Sequence, residues 1–251
     1  MTDDLPEQQN LWAALRAHTS ARIGLGRSGA SLTTSALLNF QLAHARARDA
    51  VAAPLDAARL AAECGALGLP IVTIASAADS KQQYLMRPDL GRCLAENARA
   101  TLAPHAARYD VVFVISDGLS ALAVQAHAQP LLAGLLPSQP AWQIAPLVIV
   151  RHGRVAIGDA IAKALNADCV VVLIGERPGL SAPDSMGAYL TWRPGSDTTD
   201  ADRNCISNIR PGGIGYADAA FKVAHLLATM RARGLSGVRL KDDSDALLLG
   251  R

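Results

Sequence analysis

The sequence predicts an α/β protein whose doubly wound, Rossmann-like, mostly parallel sheet is preceded by a helical N-terminal region. Three observations carry that expectation. LPIVTIAS at 69–76, YDVVFVIS at 109–116, APLVIV at 145–150 and DCVVVLIG at 168–175 are short runs of continuous apolarity. Continuity, in place of alternation, means burial on both faces, as in parallel strands covered by helices. Segments of helical spacing separate these runs, near 89–103, 119–134 and 155–166, giving the strand and helix alternation of an α/β fold. Before residue 69 the apolar positions recur at helical spacing instead. The chain therefore divides into a helical region, 1–68, and an α/β domain, 69–251.

Taken in order, Leu11, Trp12 and Leu15 share one helical face within 10–18, a segment too short to be stable without docking on something. From Thr33 to about Val51 the spacing predicts a helix with Leu37, Phe40, His44 and Ala47 on one stripe. A second helix, roughly Asp56 to Ala66, ends at Gly68. After the four strands come AYLTW at 188–192, an acidic loop at 194–204, CISNI at 205–209, and RPGGIGYADAA leading into a helix through Met230.

Each buried run ends in a polar or glycine-containing turn: Ser76-Ala77-Ala78-Asp79, Ser116-Asp117-Gly118, Arg151-His152-Gly153-Arg154 and Gly175-Glu176-Arg177-Pro178-Gly179. In open α/β sheets ligands bind outside the carboxyl ends of the strands, so these exits predict a crevice there.

The 251 residues suit one large domain, or one domain with a smaller helical part. Half are apolar, 18% are charged and the formal net charge is +2, a balance that argues against electrostatic binding to nucleic acid or to an anionic membrane. The opening MTDDLPEQQN has neither the basic nor the apolar segment of a secretory signal, and no apolar run approaches the ~20 residues that span a bilayer. Cys64, Cys93, Cys169 and Cys205 form no C-x-x-C pair, so reduced thiols in a cytosol are expected, without a zinc site or a disulfide framework.

Several motifs are weaker than they look. Gly24-Leu25-Gly26-Arg27-Ser28-Gly29 matches the dinucleotide fingerprint, but only Ala21-Arg22-Ile23 precedes it where a buried strand belongs, so a glycine-rich turn is the better reading. Asp197, Asp200 and Asp202 lack the glycine and terminal glutamate spacing of a calcium loop. Ser181, His152 and Asp184 form no recognisable nucleophile arrangement, and no G-x-S-x-G occurs. Cys205 sits among Asn204, Ser207 and Asn208, where an inert thiol is the plain reading. For Glu176 the plain reading is an exposed pair with Arg177, worth little at a surface. The residues alone give a crevice without a ligand.

The segments IGDAIAKALNADCVVVLIGERPGLSAPDSMGAYLTW and NCISNIRPGGIGYADAA, with RIGLGRSGASL, LNFQLAHARARDAV and VISDGLSALAV before them, closely resemble the small (light) subunits of ethanolamine ammonia-lyase, from about residue 20 to 230. The resemblance implies an adenosylcobalamin-dependent lyase that converts ethanolamine to acetaldehyde and ammonia. It implies a hetero-oligomer in which a large subunit, a β/α barrel, holds the substrate and most of the radical chemistry, while the light subunit seats the cobalamin between the chains. A cytoplasmic setting follows, a bacterial microcompartment being one form of it.

Carried over residue by residue, the family's cobalamin contacts fall on Val155 in RHGRVAIGD, Glu176 in GERPG and Cys205 in NCISN, each at or near an expected strand exit. No residue of this chain is implied as catalytic or as a metal ligand. A corrin ring fringed with amides calls for apolar contact, as from Val155, and for acceptors, as from Glu176. Cys205 would be a small, soft contact and not a cobalt ligand. None of His18, His44, His105, His127, His152 and His225 stands in D-x-H-x-x-G, so the cofactor is expected to keep its own dimethylbenzimidazole on cobalt, the base-on form.

Overall fold

The computed structural model describes residues 12–139 and 141–249. A short helix, α1 (residues 12–16), leads into a two-stranded hairpin of β1 (Arg27–Ser28) and β2 (Ser31–Leu32), then α2 (Thr34–Ala52) and α3 (Ala57–Cys64). The expected segment 10–18 lies partly outside the described residues. Trp12 and Leu15 remain exposed and are not docked on their own chain.

The hairpin decides the Gly24 question. Gly24 adopts a left-handed φ of 57°, and a Cβ there would collide with the ring of Trp12. No helix opens at these glycines, since α2 starts only at Thr34, where the Thr33 hydroxyl accepts the Ala36 N–H at 3.3 Å. A pyrophosphate cradle needs a strand before the glycines and a helix after them, and neither is present at this turn.

The remaining elements form a mixed α/β fold around one sheet. Its strands are β3 (Ile71–Ala75), β4 (Tyr109–Ser116), β5 (Leu147–Arg151), β6 (Ala167–Gly175), β7 (Met186–Trp192) and β8 (Arg203–Ile209). They lie in the order β3-β5-β4-β6-β7-β8. The first four in that order are parallel, and β7 and β8 join antiparallel. The connecting helices are α4 (Lys81–Met86), α5 (Ala98–Leu102), α6 (Ala121–Leu135) and α7 (Ile157–Leu165), with α8 (Tyr216–Arg233) and α9 (Ser244–Leu249) following the sheet.

Strand β4 shows why its sequence is apolar throughout. Val111, Phe113 and Ile115 face a core shared with Leu60 and Cys64 of α3 and with α6 and α8, while Val112 and Val114 face a second core with α5 and α7. Each side chain of the run is removed from water on one side or the other, which alternation could not achieve. Among the described residues, no helix is long and apolar enough to cross a membrane.

Two expected helices behave differently from their spacing. In α2 only Ala50 is buried, and Leu37, Leu38, Phe40 and Leu42 stand 41–58% exposed, so the expected stripe is uncovered within this chain. The expected helix over 89–103 is broken into a 3-10 turn at Leu90–Arg92 and the short α5. Residues between them pair with the end of β3 instead: Ala77 N–H donates to Cys93 O at 2.9 Å and Ala95 N–H to Ala75 O at 3.1 Å. Pairing along a strand edge requires extended backbone, which is incompatible with a helix through those residues.

Candidate functional site

The turn after β5 is fixed from three directions. His152, at φ 58°, donates its backbone N–H to Asp117 Oδ1 at 2.7 Å. Its carbonyl accepts the Ser76 hydroxyl at 2.7 Å, and the Gly153 carbonyl accepts the Ser116 hydroxyl at 3.0 Å. Side chains from the ends of β3 and β4 thus substitute for backbone pairing in an irregular loop. Asp117 is buried, and burial pushes its carboxyl up against the opposing pull of Lys81, 3.8 Å away, and of His152. Lys81 is drawn down by the same desolvation while donating to Gly118 O at 2.7 Å.

That bracing delivers Arg154 and Val155 to a groove on the sheet. Arg154 lies over the Tyr84 ring at 4.1 Å and donates to the Tyr84 carbonyl at 3.1 Å. Val155 lines two adjoining concavities of about 410 and 360 Å³. The larger is walled by Tyr84, Leu119, Ile174, Glu176 and Tyr189, and the smaller extends toward Arg92, Asp200 and Arg203.

Glu176, one residue past β6, is half-buried and already engaged. Its N–H donates to Ser185 O at 2.9 Å, the Ser185 hydroxyl donates to Oε2, and the Asn208 backbone N–H reaches both carboxylate oxygens at 3.3 and 3.4 Å. These bonds leave lone pairs of the carboxylate available to a further donor. Arg177 is exposed at the rim and is not the partner of Glu176, so the surface-pair reading does not hold.

Cys205 is not at a strand exit. It is the third residue of β8, opposite Tyr189 of β7, which in turn pairs with Val172 of β6. Burial pushes the Cys205 thiol up, with the Tyr189 hydroxyl pulling the other way, so the group is a neutral thiol near pH 7. Burial likewise raises the Tyr189 hydroxyl, and the neighbouring Cys205 adds to the effect.

The three expected site residues therefore meet around Tyr189. Val155 and Tyr189 both line the two concavities, Glu176 lies at the mouth of the larger, and Cys205 is the cross-strand neighbour of Tyr189. The site runs from the exits of β5 and β6 onto the face of β7 and β8, where Cys205 and Ser207 stand exposed, and is not a crevice confined to the sheet edge. Tyr189, Ser185 and Asn208 were not singled out by sequence reasoning as site residues. Their roles depend on antiparallel register, which the spacing of a single strand does not reveal.

The acidic loop resolves into local structure as well. Asp202 accepts the Thr199 N–H at 2.9 Å and its hydroxyl at 3.0 Å, and Asp200 pairs with Arg203 at 3.3 Å. Asp184 lies 3.4 Å from the buried His127, far in sequence and in partners from His152, whose Nδ1 is 3.1 Å from the Ala78 carbonyl.

Residues 9–241 match the family model described as ethanolamine ammonia-lyase light chain (EutC). The chain belongs to the ethanolamine ammonia-lyase light-chain family. It is 51% identical over 248 residues to the ethanolamine ammonia-lyase small subunit of Xanthomonas campestris pv. campestris (strain B100), covering 96% of this chain and 91% of that protein. It is 50% identical over 255 residues to the small subunit from Ralstonia nicotianae, covering 98% and 94%. With the Bradyrhizobium diazoefficiens small subunit it shares 53% over 234 residues, covering 92% and 90%. In this light chain, then, the groove around Tyr189 belongs to a subunit of a lyase complex.

The residues can be tested against the group that the family implies. A broad planar ring bordered by amides needs a face of low relief, an apolar wall and acceptors at its margin. Gly187, Cys205 and Ser207 give the β7 and β8 face small or absent side chains, Val155 gives the wall, and Glu176 gives the acceptor. The residues present fit such a group.

Proposed function

We propose that this chain is the light subunit that seats adenosylcobalamin in an ethanolamine ammonia-lyase, working in the cytoplasm as a hetero-oligomer with a large subunit that carries the substrate site. The observation supporting this reading is the convergence of Val155, Glu176 and Cys205 around Tyr189, on an open sheet face, in a chain of this family. The sheet, with helices on both faces, serves as a doubly wound frame for the seat. Of the proposed division at residue 69, the docking role falls on residues up to α2, since α3 packs into the core.

When bound, the cofactor supplies the adenosyl radical that takes a substrate hydrogen before ammonia leaves. The work of this chain is placement. Glu176, held by Ser185 and Asn208, accepts an N–H from the ring's margin and does not act as acid or base. Val155 excludes water beside the ring, and the neutral thiol of Cys205 lies against its face without ligating metal.

The decisive experiment is a cyanocobalamin titration, followed by absorbance, of the complex assembled with a cognate large subunit. Glu176→Ala should weaken binding roughly tenfold to a hundredfold, the range for losing a hydrogen bond to a charged acceptor, while the complex still assembles. An unchanged Kd would assign the chain an adaptor role without a cofactor seat.

The base-on state is proposed on the absence of D-x-H-x-x-G from the sequence. Electron paramagnetic resonance of the Co(II) form should show a nitrogen splitting that changes when the cofactor's own base is nitrogen-labelled. A splitting indifferent to that label would mean that a protein nitrogen has replaced the base.

A further inference from the structure

Charge in the groove is not balanced. Two of the groups lining it cancel: Arg203 holds Asp159 through both guanidinium nitrogens, at 2.7 Å each, and pairs with Asp200 at 3.3 Å. Glu176 is occupied by Ser185 and Asn208. Arg92 and Arg154 line the smaller concavity and Arg177 rims the larger, and among the described residues no carboxylate forms an ion pair with any of the three.

Arg154 is the most telling. Its guanidinium is fixed by stacking on Tyr84 and by one bond to the Tyr84 carbonyl, yet its Nε is buried with no partner. Its backbone N–H donates to Gly91 O at 2.7 Å, which ties the residue to the turn that carries Arg92. Two planar cations are thus presented side by side, with donors that no acid of this chain satisfies. That arrangement suits a phosphate oxygen pair better than a single carboxylate, because each guanidinium presents a fork.

We propose that Arg92 and Arg154 form a phosphate subsite beside the ring seat, and that its occupant is the phosphodiester of the cofactor's nucleotide tail. This rests on the cobalamin-seat reading above. Arg177, at the far rim, adds long-range attraction without a fixed contact. The subsite separates two jobs within one groove: Val155, Glu176 and Cys205 meet the ring, and the two arginines meet the tail.

The test uses the assembled complex and two corrinoids, cyanocobalamin and cobinamide, which lacks the nucleotide tail. Arg92→Gln and Arg154→Gln should each weaken cyanocobalamin about tenfold and flatten the salt dependence of its Kd, while leaving cobinamide affinity unchanged. Arg92 is exposed, so its substitution carries no folding penalty that could mimic the effect. Equal weakening of cobinamide would show that the arginines only shape the ring seat, and would overturn the proposal. Loss of assembly with the large subunit would overturn it too, by assigning the arginines to that interface. A parallel titration of the corrinoid-free complex with inorganic phosphate separates the two sources of the anion. If wild type binds neither corrinoid, the seat reading fails on its own account. Phosphate binding that both substitutions abolish would then leave the subsite standing with free phosphate as its ligand, which sinks the nucleotide-tail assignment.

Discussion

Gly175→Ala is expected to destabilise the fold by about 3 kcal/mol and to abolish cobalamin binding in the assembled complex. A Cβ at this position would collide with Ser120 O and come within 2.6 Å of Asp117 O and 2.7 Å of the Ser120 carbonyl carbon. All of these are backbone atoms, so no rotamer change relieves the overlap. The approach is reciprocal. Leu119 N–H donates to Gly175 O at 2.9 Å, and a Cβ on Gly118, itself at φ 53°, would collide with that same carbonyl. The end of β6 and the turn into α6 are therefore joined backbone to backbone, and Ser120, which caps α6 and donates to Pro183 O at 3.0 Å, extends the joint to the loop beyond Glu176. Any displacement that admits a methyl group moves Glu176, the next residue. Thermal unfolding should show Tm lower by roughly 6 to 12 °C. A Tm within a degree of wild type, with cyanocobalamin still bound, would show that the joint is slack and that Glu176 is placed by other means.

How far the sequence announces this arrangement depends on the range of the interactions involved. YDVVFVIS and DCVVVLIG were readable because a strand covered on both faces must be apolar at every position, and β4 and β6 follow those runs closely. The exits carrying Val155 and Glu176 were readable for the same reason, as polar residues following a buried run. Cys205 came from family resemblance, and its position inside β8 was not legible because it depends on the register with Tyr189. The break at 89–103 was hidden because residues 93–95 are recruited by the edge of β3, a tertiary pairing that overrides local spacing. The stripe on α2 was legible as a pattern, but the pattern cannot say that its cover is absent from this chain. The bracing of the β5 turn by Ser76, Ser116 and Asp117 joins residues up to 76 positions apart, beyond the reach of any motif.

Arg203→Met is expected to remove about 3 kcal/mol of stability and to weaken cyanocobalamin at least tenfold, and only the first effect should be recoverable by removing the partner acid. The Arg203 side chain is 3% exposed, spanning from β8 to α7 through both oxygens of Asp159 and bonding the Thr191 hydroxyl at 3.0 Å. Burial alone would pull the guanidinium down, but the bonds to Asp159 and Asp200 outweigh it, so the charge is retained. Without Arg203, Asp159 is left at 15% side-chain exposure with no cation, and that stranded charge accounts for most of the destabilisation. A second substitution, Asp159→Leu, removes the stranded charge and should restore most of the stability, because a buried ion pair contributes little net energy over apolar residues of similar size. It cannot restore direction. The planar fork fixes the start of β8 against α7, and Cys205 lies two residues further along, facing Tyr189. The double variant should therefore unfold near the wild-type Tm while its cyanocobalamin Kd stays at least tenfold weaker, with Glu176 chemistry intact. If the double variant regained wild-type affinity as well, the pair would be a structural tie only, and the alignment of the β7 and β8 face would rest on the packing of Ile206 and Ile209 beneath it.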